Sequence, residues 1–262
     1  MPRVSVEITD HVAHVTLTRG DKMNAVDNAM AEAIVEAGEA LLPRGDIRAV
    51  VLSGEGRAFC AGLDVASFGA ALMRDSSDWL MPRSHGASNL MQRVAMVWHE
   101  MPVPVIAALQ GVAFGAGFQL ALGADIRIAH PACKLAVMEM KWGLVPDMGG
   151  MVLLPRLCRS DVIRRLTYTA DPVTAEQGLA MGLVTELAED PLAAARTMAT
   201  GIAGCSPSAI RAAKALIGHA ESGAGMEEVL LEESRAQVGL IGGKDQREVV
   251  AANMAGRAPV FG

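Results

Sequence analysis

The sequence predicts an α/β fold built mostly on parallel sheet, with a separate helical extension at its C-terminal end. Two observations carry this. Strand-like and helix-like runs alternate through roughly the first three quarters of the chain, which is the arrangement of βαβ units. From about residue 189 onward the pattern is helical to the end, which does not fit that plan. A chain of 262 residues is long enough for one large domain or a domain with an appendage.

In order, "HVAHVTLTR" places Ala13, Val15 and Leu17 on one face and reads as a strand. Residues 27–42 carry Met30, Ile34, Ala37 and Leu41 at helical spacing behind a capping Asp27. "IRAVVLSG" is a buried strand ending in glycine, and "GEGRAFCAGLD" is a loop. Residues 86–100 form a helix, "VPVIAAL" a short buried strand, and the segment after it a Gly-rich turn and a short helix. "DIRIAH" and "KLAVME" are short strands, and "TAEQGLAMGLVTEL" is a helix, a turn and a strand. The helical tail breaks at Gly204–Pro207, Gly223–Gly225 and Gly242–Gly243. The polar, irregular stretch from Gly69 to Ser88 is expected to be a mobile loop over a site.

Composition narrows the function. Hydrophobic residues make up 51% and charged residues 20%, a globular balance rather than a disordered one. The 16 methionines against 3% aromatics suggest grooves filled by side chains that mould to a shape. A net charge of -6 without any basic run argues against nucleic acid as a partner. Cys60, Cys133, Cys158 and Cys205 show no paired spacing, so they read as reduced thiols of a cytoplasmic protein, and the N-terminus has no apolar signal core. Met101 to Ala124 is uncharged over 24 residues, long enough to span a membrane, but it holds two prolines, two glutamines and four glycines. A buried strand, turn and helix account for it better, and no membrane association is expected.

Three segments could carry chemistry. In "FGAGFQL" a turn of small residues, Gly115-Ala116-Gly117, feeds a helix holding the polar Gln119. Neither phosphate-binding glycine pattern is present. The remaining uses are tight packing or an oxyanion hole, in which backbone N–H groups face developing negative charge and a bulky side chain would block them. "RAFCAGLD" offers a second such turn at Ala61-Gly62. Cys60 within it has no base nearby in sequence and reads as a small buried hydrophobe. In "AVMEMKWGLVPDMGG", Glu139 sits between methionines with Asp147 eight residues on. A carboxylate in apolar surroundings has its pKa raised into the range useful for proton transfer. Plainer roles stand beside this one: Asp147 as the cap of a helix from Met148, and Glu139 paired with Lys141. His85 and His99 fall in no metal-binding pattern, so no metal is expected.

Taken together, "FCAGLD", "PVIAALQGVAFGAGFQLALGADIRIA", "KLAVMEMKWGLVPDMGG", "AEQGLAMGLV" and "SPSAIRAAK" resemble the crotonase superfamily, the enoyl-CoA hydratases and isomerases, in order from about Val4 to Phe261. The resemblance implies a crotonase-like spiral of ββα repeats over residues 1–195 and a C-terminal helical trimerisation region over 196–262. It implies a homotrimer or dimer of trimers, an acyl-CoA substrate, and no cofactor beyond the CoA of the substrate. The oxyanion hole carries over to the N–H groups of Ala61 and Ala116, and the substrate-binding residues to Ala61, Gly62, Leu63, Asp64 and Gly115.

The departure is at Gln119. Hydratases that resemble this chain carry glutamate there as well as at Glu139, and the pair activates water. An amide orients water or bonds a carboxylate but takes no proton at neutral pH. Asp147 matches a position where dienoyl-CoA isomerases of the family carry their second acid/base, although those enzymes have aspartate in place of Gln119. The expectation is therefore a double-bond shift in an enoyl- or dienoyl-CoA, with Glu139 and Asp147 exchanging protons and Gln119 in support. The alternatives are a hydratase working through Glu139 alone, nucleophilic attack by Asp147, and a scaffold that binds CoA thioesters without turnover.

Overall fold

The computed structural model describes residues 2–66 and 75–262. Strands β1 (Val4–Thr9) and β2 (Val12–Leu17) form an antiparallel hairpin. Asp10 and His11 between them both take positive φ, the two-residue turn whose twist matches that of the strands. Helix α1 (Asn28–Leu41) starts where the Asp27 carboxylate accepts the Met30 N–H at 2.8 Å. Then follow β3 (Ala49–Gly54), a single turn α2 (Ser77–Leu80), and α3 (Leu90–His99), which Asn89 and Gln92 close with a reciprocal cap. Of the loop expected from Gly69 to Ser88, residues 69–74 lie outside the described residues, and the remainder includes α2.

The repeating unit is clearest in mid-chain. β4 (Val105–Leu109) runs into β5 (Val112–Phe114) and then α4 (Ala116–Leu122); β6 (Ile126–Ala129) runs into β7 (Lys134–Ala136). The first strand of each unit joins the larger sheet and the second joins the smaller. With β8 (Val173–Thr174) and β9 (Glu186–Leu187) further along the chain, among the described residues the larger sheet has the order β1-β2-β3-β4-β6-β9 and is parallel beyond β2. The smaller has the order β5-β7-β8. The chain then runs through α5 (Gly150–Leu153), α6 (Ser160–Thr169), β8 (Val173–Thr174), α7 (Ala175–Met181) and β9 (Glu186–Leu187). In earlier turns of the spiral the second strand shrinks to single parallel bridges, Val26 to Leu63 and Cys60 to Ala113. Those bridges tie "CAGL" beside "AFGA".

Both faces of the larger sheet are covered, as a parallel sheet requires. Val50 and Leu52 point into the main core with Phe59, Trp98, Phe118, Met30 and Ile34. Ala49 and Val51 point the other way, where α8 (Pro191–Ala203) lays Ala195, Ala199 and Ala203 against them. Three alanines four residues apart make one smooth face, so the helix sits close to the sheet. The boundary expected at residue 195 therefore falls inside a helix belonging to the core. The appendage starts instead at α9 (Pro207–Glu221) and continues through α10 (Met226–Leu240) and α11 (Lys244–Ala255). α9 and α10 bury no residue, and polar contacts hold the appendage. Lys214 donates to Asp125 at 2.6 Å and to the Val103 carbonyl at 3.0 Å, while Arg48 donates to the Phe261 carbonyl at 3.0 Å.

The uncharged run from Met101 to Ala124 is the loop, strands and short helix around β4, β5 and α4. Among the described residues no helix is long and apolar enough to cross a membrane.

Candidate active site

A cavity of about 210 Å³ opens where the two small-residue turns meet, lined on one side by Ala61, Gly62 and Leu63, and on the other by Gly115, Ala116, Glu139, Lys141 and Trp142. Glycine is required at two of these positions. Gly62 has φ +99°, and a Cβ there would lie 2.8 Å from the Phe114 carbonyl oxygen and 3.9 Å from the Ala116 nitrogen. Gly115 takes φ 49° and ψ −117°, a backbone conformation closed to other L-residues, and this turns the chain into α4.

The backbone donors can be assigned by elimination. The Ala116 N–H opens α4, where first-turn amides lack an intrahelical partner. The Ala61 N–H, expected to be the second donor, is taken by the Met23 carbonyl at 2.9 Å. Two residues on, Val26 N–H donates to the Gly62 carbonyl at 2.8 Å and Asp64 N–H to the Val26 carbonyl at 2.9 Å. Parallel pairing of this kind uses the neighbours of Leu63 and turns its own N–H away from Val26. Leu63 and Ala116, rather than Ala61 and Ala116, are thus the residues with amides left over at the cavity. Alternation along an extended segment could have suggested this shift; the partner strand that decides it is not visible in the local sequence.

Gln119, buried in α4, has an orientation the hydrogen bonds settle. Its Oε1 accepts two backbone N–H groups, from Met148 at 2.9 Å and Gly150 at 3.0 Å. Backbone N–H groups only donate, so the amide oxygen must face them and Nε2 must face Glu139, to whose Oε1 it donates at 2.7 Å. Glu139 stands at the start of a 3₁₀ turn, Glu139–Trp142, and its Oε2 is buried and accepts no hydrogen bond. Burial pushes the Glu139 carboxyl above the usual carboxylate range, against the bonds that favour its charged form, and the negative field of Asp147 adds to the rise.

Asp147 is exposed at the residue level and is not part of the cavity wall, yet enough protein surrounds its carboxyl for desolvation to raise its pKa too. It caps nothing: α5 begins at Gly150 behind Gly149, with no side-chain cap. Nor does Lys141 pair with Glu139. Asp64 pairs with Arg19 at 2.7 Å and is not among the residues lining the cavity. Cys60 is buried with its thiol pushed up to about 12, which removes it as a nucleophile. Among the described residues no group of three His, Cys, Asp or Glu is placed to hold a metal ion. The arrangement offers two amides at one cavity, a carboxylate oxygen without a partner, and a second carboxyl whose field reaches the first.

A family model described as enoyl-CoA hydratase/isomerase matches residues 7–262. The chain is 32% identical over 220 residues to the mitochondrial Delta(3,5)-Delta(2,4)-dienoyl-CoA isomerase of Mus musculus, covering 80% of this chain and 67% of the mouse protein. It is 31% identical over 221 residues to the (E)-benzylidenesuccinyl-CoA hydratase of Thauera aromatica, covering 80% of each. The solved structure of an enoyl-CoA hydratase from Bacillus anthracis superposes with a TM-score of 0.88 at 28% identity, over 99% of this chain and 98% of that one. Hydratases and isomerases thus both stand among its relatives.

Proposed function

The chain belongs to the enoyl-CoA hydratase/isomerase family, with the crotonase fold, and from that premise we propose that it shifts a carbon–carbon double bond in an enoyl- or dienoyl-CoA. The observation that carries this reading is the amide of Gln119 in contact with Glu139, at a place where paired carboxylates would otherwise face each other.

In this reading the thioester carbonyl enters the cavity and accepts hydrogen bonds from the Leu63 and Ala116 N–H groups. Glu139 Oε2 takes a proton from carbon, the C–H electron pair moves into the conjugated system, and the negative charge collects on the thioester oxygen as an enolate. Protonation further along the chain by Asp147 returns the electron pair to carbon. The substrate gains and loses one proton, so the two carboxyls between them must start with one proton and one charge. The raised pKa values of both groups support that state. The steps are redox-neutral and balance without a cofactor. Gln119 is a positioning residue: it holds Oε1 and leaves Oε2 to react.

A hydratase is the second reading, because the unpartnered Oε2 could equally accept and activate water. Purified protein given crotonyl-CoA and a 3,5-dienoyl-CoA separates the two. The proposal expects the conjugated dienoyl absorbance to appear at least tenfold faster than the crotonyl absorbance is lost, and faster hydration overturns it. We also propose that the appendage mediates assembly into a trimer or a dimer of trimers, which the exposed Met226, Val238, Ile241 and Met254 support.

A further inference from the structure

Among the described residues the cavity wall holds two charged side chains, Glu139 and Lys141, and only the first has been given work. Lys141 lies on the same 3₁₀ turn, two residues after Glu139, and reaches the same space from the exposed rim. Among the described residues no carboxylate lies within ion-pair distance of it. The lysine therefore does not serve to neutralise Glu139. Arg19 provides the contrast: it is spent on Asp27 at 3.3 Å and Asp64 at 2.7 Å.

The other described residues around the cavity are neutral, chiefly Leu63, Val65, Met138, Trp142 and Leu144. An unpaired cation at the edge of an apolar chamber selects an anion presented at the end of an apolar group. Resting on the acyl-CoA reading above, we propose that Lys141 is a specificity-determining residue that recognises a carboxylate at the far end of the acyl group. The cavity is about 210 Å³ and also contains the amides and carboxylate of the thioester site. The diphosphate of CoA lies a whole pantetheine arm away from the thioester, outside a space of that size. The preferred substrates are accordingly thioesters of dicarboxylic acids, and Lys141 contributes through binding rather than through proton transfer.

The test is equilibrium binding of two saturated thioesters of matched length, glutaryl-CoA ending in a carboxylate and hexanoyl-CoA ending in a methyl group. Neither carries the double bond that would be shifted, so turnover does not enter the measurement. Glutaryl-CoA is expected to bind about tenfold more tightly, the effect of one charge-assisted hydrogen bond. Lys141→Met should abolish the preference with hexanoyl-CoA affinity unchanged, and Lys141→Glu should reverse it; the side chain is exposed, so both variants should fold. Equal affinities in the parent chain, or a preference that survives Lys141→Met, would overturn the inference. Equal loss of both thioesters and of free CoA in Lys141→Met would also overturn it, by moving the lysine's partner to the CoA phosphates. If the folded parent protein binds neither thioester, the acyl-CoA reading itself fails and takes this inference with it.

Discussion

Replacing Gln119 tests the centre of the proposed chemistry, because the side chain makes three buried hydrogen bonds that different substitutions remove or invert. Gln119→Met keeps the length and shape and deletes all three. The Met148 and Gly150 N–H groups, both in buried residues, lose their acceptor. Each buried group left unsatisfied costs about 1–3 kcal/mol. Glu139, whose Oε2 is already without a partner, loses its bond from Nε2 as well, and a hydrogen bond to a charged group is worth about 1.5–3 kcal/mol. Together these give roughly 3.5–9 kcal/mol of destabilisation before the turn relaxes. Misplacing Glu139 by an ångström should lower kcat by about 10²-fold. Gln119→Glu behaves differently. One carboxylate oxygen can still accept both N–H groups, while the other meets Glu139 Oε1 where the 2.7 Å bond now stands. Two carboxylates at that distance must share a proton. This variant should melt close to the parent at acid pH, lose stability as pH rises, and gain a second carboxylate for water. Its crotonyl-CoA hydration should rise by about 10²-fold, the lower end of what a positioned acid or base supplies. The assays are denaturant unfolding across pH and the two absorbance changes followed side by side. If Gln119→Met matches the parent in stability and diene conjugation, Gln119 positions nothing and the argument from its hydrogen bonds is wrong.

Glu139→Gln should cost about 10²–10⁴-fold in turnover and yet stabilise the fold at neutral pH. The folded-state pKa of Glu139 lies above its unfolded value, so the native state binds the extra proton and stability falls as pH rises through that window. The variant's higher melting temperature at pH 7 should therefore shrink as pH falls through the raised folded-state value and vanish below the ordinary carboxylate value; a constant offset across pH would refute this. Asp147→Asn should remove diene conjugation by a similar 10²–10⁴-fold while leaving any hydration intact, and equal loss of both reactions would show that Asp147 does not act as a separate proton donor. Gly62→Ala forces a side chain into φ +99° and onto the Phe114 carbonyl; we expect about 1–3 kcal/mol of destabilisation and loss of binding measured with butyryl-CoA, whereas unchanged affinity would count against an amide pair at this turn.

Much of this protein is determined locally and can therefore be read along the chain. Asp27 starts a helix because a cap needs only its own side chain and the next three residues, whereas the helix expected from residue 86 begins only at Leu90, behind Asn89. The breaks in the helical tail fall at glycines and prolines because backbone freedom is a property of the single residue. The small residues at Gly115 and Gly62, and the apolar neighbours of Glu139, are visible for the same reason. The tertiary structure alone decided which atoms remain free once the segments come together. The Ala61 amide is spent on Met23, a residue 38 positions earlier, and the Leu63 amide is not, because pairing with Val26 sets which way each N–H points. α8 belongs to the core because its alanines meet a sheet face assembled from strands as distant as Ala49 and Ile128. The orientation of Gln119 depends on two N–H groups some thirty residues downstream. A residue's identity states what it can donate or accept; which partner consumes that capacity is settled by the packing of segments far apart in the chain.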